Sequence, residues 1–103
     1  MFNESVIMKM KKDAVLVNLG RGGIINEEDL YKCMKAGHLF GAGLDVTTKE
    51  PIESENPLLT LENVTITPHM GIYSVEVINE MSMVCARNVV NKFKGNQLEL
   101  VVI

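Results

Sequence analysis

Three side chains in this sequence are of the types needed to move a proton beside a carboxylate-bearing substrate. Arg21 lies in the segment NLGRGG, Glu50 in DVTTKEP and His69 in TPHMG. A guanidinium can bind a carboxylate with a planar fork of N–H donors and polarise the adjacent carbonyl group. An imidazole can donate a proton to that carbonyl oxygen as hydride arrives at carbon, and a nearby carboxylate favours its charged, acidic form. Together the three residues could support the reduction of a 2-keto acid.

Each of these residues also has an ordinary structural explanation. Arg21 can be a solvated turn residue, and a single histidine after a proline is more often a structural hydrogen-bonding group than a catalyst. Glu50 can be a solvated loop carboxylate, and Asp45 can cap local backbone amides. The chemical interpretation therefore depends on whether the fold brings these side chains together.

The glycines around Arg21 could instead indicate a phosphate-binding loop. A dinucleotide fingerprint needs the pattern G-x-G-x-x-G, but Ile25 stands at the third glycine position after Gly20 and Gly22. A Walker loop needs a lysine followed by serine or threonine, and an RNA-binding RGG segment needs repeats in a basic context; the sequence has neither. What remains is a tight strand-to-helix turn in which the glycines adopt positive φ and present Arg21.

Hydrophobic periodicity predicts the elements that would position these residues. Helices are expected over residues 3–11, 26–36 and 74–94, and strands over residues 14–19, 40–46 and 64–67. The unbroken apolar run AVLVNL is typical of a strand covered on both faces, whereas VTIT alternates and indicates an edge strand. This alternation predicts an α/β fold: a partial Rossmann-like, doubly wound parallel sheet of about three strands with flanking helices.

A parallel sheet places the carboxyl ends of all its strands at one edge. Arg21 follows the first predicted strand, Asp45 lies near the end of the second, and His69 follows the third. Open α/β sheets bind ligands in the crevice outside these strand ends. The sequence therefore predicts that three polar groups converge where a ligand site is expected.

Composition excludes several functional classes. The 103 residues carry a net charge of −3 at pH 7, which gives no electrostatic basis for binding nucleic acid or an anionic membrane surface. Cys33 and Cys85 form no C-x-x-C pair and occupy apolar helical positions, so both are expected to be reduced core thiols. The N-terminal segment lacks the pattern of a signal peptide. We therefore expect a cytoplasmic location.

Other catalytic and metal sites have little support in the sequence. Ser74 has no G-x-S-x-G context, which argues against an α/β hydrolase. His38, His69 and the two cysteines lack the spacing of a zinc site, so no metal ligand is predicted.

The motifs together resemble the NAD-dependent D-isomer-specific 2-hydroxyacid dehydrogenase family. The similarity is carried in order by MKKDAVLVNLGRGGIINEEDL, GAGLDVTTKEP and NPLLTLENVTITPHMG. It implies that Arg21 orients the substrate, that His69 is the acid/base and that Glu50 is its partner carboxylate. It also implies that Asp45 contacts the nicotinamide carboxamide of NAD, with NADP not excluded. Further contacts with the nicotinamide end are implied for Leu19, Gly20, Arg21, His69 and Gly71.

The sequence departs from the family pattern in having no glycine-rich dinucleotide loop and little of a substrate domain. Residues 1–103 are therefore expected to form a single fragment, the C-terminal half of the NAD-binding domain, with 96–103 as a tail that leads towards the substrate domain. An open apolar strand edge is expected to promote a homo-oligomer. The expected substrate is a small 2-keto or 2-hydroxy acid. The alternative for the isolated chain is a non-catalytic fragment or interaction module.

Overall fold

The computed structural model describes residues 1–99, and its contacts divide the chain into two compact units. The first unit is Met1–Gly71, and the second begins at Ile72. Of the C-terminal segment LELVVI, for which no pairing could be predicted, residues 100–103 lie outside the described range. The same applies to the second half of the tail expected over 96–103.

The first unit is built on a three-stranded parallel sheet. Its strands are β1 (Val15–Asn18), β2 (Gly41–Leu44) and β3 (Val64–Ile66), in the spatial order β1-β2-β3. Leu16 pairs with Ala42 across the first pair of strands, and Ala42 pairs with Val64 across the second. The predicted α/β class, with a parallel sheet of about three strands and accompanying helices, is confirmed. The prediction that β3 is an edge strand also holds among the described residues.

Two helices of this unit begin at side-chain caps, at the first residues of the ranges predicted for them. Helix α1 (Glu4–Ile7) follows Asn3, whose side chain accepts from the backbone N–H of Val6, and it is shorter than expected. Helix α2 (Glu27–Lys35) follows Asn26, whose side chain accepts from Asp29 N–H. Gly37, with φ of 68°, lies just beyond its end. Capping fixes these termini because it satisfies backbone N–H groups that have no partner within the helix.

The core of the first unit lies on one face of the sheet. Leu16, Ala42 and Leu44 point to this face and pack with buried side chains of the helices and loops, namely Ile7, Ile25, Leu30, Cys33, Met34, Leu39 and Leu58. The other face carries Val15 and Val17, which are 57% and 58% exposed. The prediction that AVLVNL is covered on both faces is therefore wrong for this structure. Alternate residues of a strand point to opposite faces, and α1 and α2 contribute to only one apolar layer.

The second unit contains one long helix, α3 (Val75–Lys94). Ser74 accepts from Val77 N–H at its start, and Gly95 ends it with φ of 70°, so its bounds agree with the helix predicted over 74–94. No residue of α3 is buried. Cys33 is a buried thiol as expected, but Cys85 on α3 is exposed, which corrects its assignment to a core.

No helix among residues 1–99 combines the length and apolar character needed to cross a membrane.

Candidate active site

The carboxyl ends of the three strands bring the predicted site residues to one edge of the first unit. Asp45 comes directly after β2, while Arg21 and His69 each lie three residues beyond the ends of β1 and β3. Arg21 and His69 line a common cleft, and Asp45 and His69 line a second one. The expected convergence at this edge is therefore what the structure contains, since all three strands are parallel.

His69 and Glu50 form a hydrogen-bonded pair at this edge. The imidazole Nδ1 lies 2.8 Å from Oε2 of Glu50, and the other carboxylate oxygen accepts from the backbone N–H of Thr47 at 3.1 Å. The bond to His69 is the main cause that lowers the pKa of Glu50, aided by the Thr47 amide and by the positive charge of Arg21. Both side chains remain substantially exposed, at 44% for His69 and 40% for Glu50. The pair thus leaves Nε2 as the imidazole nitrogen available to a ligand.

Asp45 holds the turn that carries His69. Its buried carboxylate accepts from the Thr67 hydroxyl, from Met70 N–H at 2.9 Å and from Gly71 N–H at 2.7 Å. These donors, with the Thr67 hydroxyl contributing most, lower the pKa of the Asp45 carboxyl group. His69, between them, has φ of 52°, a left-handed conformation that costs a non-glycine residue about 1–2 kcal/mol. Asp45 therefore caps local amides, which was the structural alternative, and in doing so supports His69.

Asn18 fixes the turn that presents Arg21. Its buried side chain donates to the carbonyl of Arg21 at 2.9 Å and accepts from Gly20 N–H at 3.0 Å. The guanidinium itself is exposed, and its Nη1 donates to the carbonyl of Gly20 at 2.7 Å. Asn18 was not among the residues predicted to form the site. A polar residue at the end of an otherwise apolar strand was the signal that could have revealed it.

The glycines of this turn do not adopt positive φ, which corrects the prediction, and Gly22 instead serves close packing. Gly37 and Gly95 are the glycines with positive φ among residues 1–99. A Cβ added to Gly22 would lie 2.1 Å from both the carbonyl carbon and the carbonyl oxygen of Thr47. Gly22 is thus required because the Arg21 turn lies directly against the backbone of the loop that carries Glu50.

Leu19 and Asp45, which follow β1 and β2, lie beside Gly71 in the loop after β3. A Cβ on Gly71 would lie 2.9 Å from both the Leu19 side chain and Oδ2 of Asp45. Leu19 is 60% exposed and gives this corner an apolar surface beside a carboxylate. Gly20, also expected to be in the site, has its N–H bound to Asn18 and its carbonyl bound to Arg21.

Two clefts meet at the Glu50–His69 pair. The first, which we call the polar cleft, has a volume of about 410 Å³ and is lined by Arg21, Gly22, Gly23, Thr47, Thr48, Glu50 and His69. The second, the apolar cleft, has a volume of about 420 Å³ and is lined by Asp45, Thr47, Glu50, Pro51, Ile52, Leu59, Ile66, Thr67, Pro68 and His69. The polar cleft is the one in which a cation, an imidazole and a carboxylate face a common space. No cluster of residues able to hold a metal ion occurs in the described part of the chain.

The chain is similar to one family of known proteins over most of its length. The model of the family described as D-isomer specific 2-hydroxyacid dehydrogenase, NAD binding domain, matches residues 1–71. A glyoxylate reductase/hydroxypyruvate reductase of Mus musculus is 40% identical over 96 residues, which are 93% of this chain and 29% of the relative. A glyoxylate reductase of Korarchaeum cryptofilum is 42% identical over 95 residues, or 92% and 29% of the two chains. The chain thus spans about 29% of the length of these relatives.

Solved structures show the same similarity. A probable 2-hydroxyacid dehydrogenase from Rhizobium etli, in complex with NADP, HEPES and tartaric acid, superposes with a TM-score of 0.80 at 32% identity. The superposition covers 99% of this chain and 33% of that one. An NADPH-dependent glyoxylate/hydroxypyruvate reductase from Sinorhizobium meliloti, in complex with NADP and malonate, gives 0.73 at 36% identity, over 88% and 28% of the two chains.

Proposed function

The chain belongs to the D-isomer-specific 2-hydroxyacid dehydrogenase family, and from this premise we propose that it carries the acid/base half-site for interconverting 2-keto acids and D-2-hydroxy acids with NAD(H). The observation that carries the proposal is the hydrogen bond between His69 and Glu50 in the cleft that Arg21 also lines. An acid/base, a carboxylate partner and a carboxylate-binding cation are the groups that this reaction requires of the protein.

The chemistry of the corner formed by Leu19, Asp45 and Gly71 fits the nicotinamide end of a dinucleotide. Leu19 offers an exposed apolar surface for a planar ring, and Asp45 offers a carboxylate oxygen to a carboxamide N–H. Oδ2 of Asp45 accepts one backbone hydrogen bond, from Gly71, so it retains acceptor capacity. When bound, the nicotinamide supplies the hydride, and the family model together with the NADP complexes of the structural relatives supports a cofactor of the NAD(P) type.

In the proposed reduction, His69 holds its proton on Nε2 and donates it to the substrate carbonyl oxygen. Glu50 is bound to Nδ1 and stabilises the positive charge of the imidazolium before the proton leaves. In the oxidation direction, the neutral imidazole takes the hydroxyl proton back at the same nitrogen. The same nitrogen of His69 therefore donates the proton in reduction and accepts it in oxidation.

Arg21 binds the substrate carboxylate in this proposal. One Nη1 hydrogen is engaged by Gly20, which leaves other N–H donors of the guanidinium for a two-point contact. Because the Arg21 turn packs against the backbone of Thr47, the backbone that carries Arg21 is held beside the loop that carries Glu50, as a substrate held at two points requires.

A second candidate function is an interaction module without turnover, assembled through β1. The observation that favours it is the open edge of β1 among the described residues, together with the exposed Val15 and Val17. Such an edge can pair with a second copy of the chain. We expect light scattering to show a homo-oligomer, and a clean monomer at high concentration would contradict this. We also propose a cytoplasmic location for the chain, which the unpaired thiols of Cys33 and Cys85 support.

The activity is tested with a chimera in which residues 1–71 replace the matching segment of the Korarchaeum cryptofilum reductase. We expect this protein to oxidise NADH or NADPH with at least one of a panel of small 2-keto acids that includes glyoxylate and hydroxypyruvate. A folded chimera that is inactive where the unmodified reductase turns over would contradict the proposed function. The isolated chain is assayed in parallel. Turnover by the isolated chain would reject the second candidate function, an interaction module without turnover.

A further inference from the structure

Glu27 makes contacts that its position on a helix does not explain. As the first residue of α2, it is suitably placed for a favourable interaction with the helix dipole, and the sequence suggests no more than that. In the structure, however, both of its carboxylate oxygens are bound to the loop that follows β2. Oε1 accepts from the backbone N–H of Thr48, and Oε2 accepts from Nδ2 of Asn56 at 2.9 Å.

The two contacts of Glu27 lie on either side of Glu50. Thr48 precedes Glu50 by two residues, and Asn56 follows it by six. Asn56 is itself fixed, because its Oδ1 accepts from Leu58 N–H at the start of a one-turn helix whose Leu58 is fully buried. Between the two contacts, residues 49–51 and 53–55 are exposed, and the Lys49 and Glu53 carbonyls accept from Thr47 and Asn56 within the same loop. Glu27 thus connects α2 to both ends of the Glu50 segment.

We propose that Glu27 is a positioning residue for the acid/base pair, because it fastens the loop from which Glu50 reaches His69. The inference rests on the proposed function, since Glu50 is important there as the partner of the proton-transferring imidazole. Glu27 itself contacts neither His69 nor the polar cleft. It acts through the backbone of Thr48 and the side chain of Asn56.

A carboxylate is the group that suits this position. Thr48 N–H and Asn56 Nδ2 are both donors, so both atoms of the Glu27 head group must be acceptors. Glutamine can satisfy one donor but turns its own NH₂ towards the other. Rotating the Asn56 amide would not help, because its Oδ1 is already used by Leu58 N–H. Glu27→Gln is therefore expected to free one side of the segment.

The neighbouring Glu28 provides a matched control. It is exposed and forms an ion pair with Lys32 at 2.8 Å on the surface of the same helix. Glu28→Gln removes the same charge from the same helix turn without touching the Glu50 segment. Glu27→Asp is the complementary variant, because it keeps the charge but is one methylene too short to reach both partners.

The test is an NMR titration of the Glu50 carboxyl group in the chain and these variants, with folding checked by thermal unfolding. Its bond to His69 lowers the pKa of Glu50 in the native chain. Glu27→Gln and Glu27→Asp are both expected to raise this pKa towards its ordinary value, while Glu28→Gln leaves it unchanged. Loss of a nearby negative charge alone would have the opposite sign, because it lowers the pKa of the remaining carboxyl group.

An unchanged or lower Glu50 pKa in folded Glu27→Gln or Glu27→Asp would overturn the proposal. Exchange of the Thr48 amide hydrogen in the native chain is a further measurement that needs no variant. Thr48 is exposed, so slow exchange requires its bond to Glu27, and unprotected exchange would also overturn the proposal. Neither readout needs cofactor or substrate, so failure of the dehydrogenase assay would be distinguishable from failure of this inference.

Discussion

The backbone of Gly22 lies against the carbonyl group of Thr47, so the turn that presents Arg21 and the loop that presents Glu50 are packed backbone to backbone. This contact joins residues from the ends of β1 and β2 without any side chain between them. It explains why glycine is required at position 22 of the segment NLGRGG although Gly22 does not adopt positive φ. The close approach of the two segments that carry Arg21 and Glu50 therefore depends on the absence of a Cβ atom at Gly22.

Gly22→Ala is expected to destabilise the chain by about 1–3 kcal/mol, because the added Cβ would lie 2.1 Å from the carbonyl carbon and oxygen of Thr47. Gly23→Ala is the matched control, since a Cβ there meets nothing within 4 Å. We expect the control to be neutral or slightly stabilising. Urea denaturation of the two variants measures the difference, and equal stabilities would show that the loop yields easily at Gly22.

Glu50 is expected to contribute to the decrease in unfolding free energy at acidic pH. Its pKa is lowered in the folded chain, mainly by His69, so its stabilising effect is present above the ordinary glutamate pKa of 4.5. That effect is lost as pH falls through the lowered folded value. Glu50→Gln should therefore weaken the dependence of unfolding free energy on pH below 4.5, whereas Glu62→Gln, at an exposed glutamate outside the clefts, should not. If unfolding free energy depends on acidic pH in the same way for the native chain and Glu50→Gln, Glu50 does not form a stabilising hydrogen bond with His69.

His69→Ala in the active chimera is expected to lower kcat by about 10²–10⁴-fold, the usual contribution of a general acid/base. Nε2 is the imidazole nitrogen that Glu50 does not bind, so its loss removes the proposed proton donor. His38→Ala is a control at the other histidine of the chain, which is not among the residues lining either cleft. Turnover that survives His69→Ala while His38→Ala behaves normally would refute the assigned role.

Arg21→Ala is expected to raise KM for the keto acid and to lower kcat, with a combined loss of roughly 10- to 100-fold in kcat/KM. The guanidinium is proposed to hold the substrate carboxylate and polarise its carbonyl group, so both binding and turnover depend on it. Arg21→Lys keeps the charge but lacks the planar fork, and it should recover only part of the loss. Steady-state kinetics of the chimera measure KM and kcat for both variants. Full recovery by Arg21→Lys would show that the positive charge suffices and that the planar fork of donors is not needed.

Asp45→Asn is expected to loosen the turn that carries His69. One carboxylate oxygen accepts from the Thr67 hydroxyl and Met70 N–H and the other from Gly71 N–H, whereas an asparagine side chain keeps one acceptor oxygen and turns its NH₂ group towards the donors on the other side. Amide exchange at Met70 or Gly71, whichever then faces the NH₂ group, should be about 10-fold faster or more. Asp13→Asn changes the same charge at an exposed position with φ of 69°, where asparagine is well tolerated. If exchange is as slow in Asp45→Asn as in Asp13→Asn, the carboxylate does not hold the turn.

The sequence predicted the helices and strands well wherever their determinants are local. Asn26 and Ser74 cap α2 and α3, and Gly95 ends α3, because each acts on backbone groups within four or five positions along the chain. The parallel sheet also followed from the alternation of apolar segments. With it came the arrangement of Arg21, Asp45 and His69 at one edge, since that depends on strand direction rather than on packing detail.

What the sequence determined by itself is the order of the elements, the residues at their ends and hence the edge where the polar groups collect. Which groups touch depends on tertiary contacts: Glu50 binds Nδ1 of His69, Glu27 holds the Glu50 segment, Gly22 packs on Thr47 and Cys85 is exposed. These outcomes depend on how close segments 19 or more residues apart approach one another. Hydrophobic periodicity and helix capping depend on residues that are close in the sequence. They do not determine the distance between two loops that are far apart in the sequence.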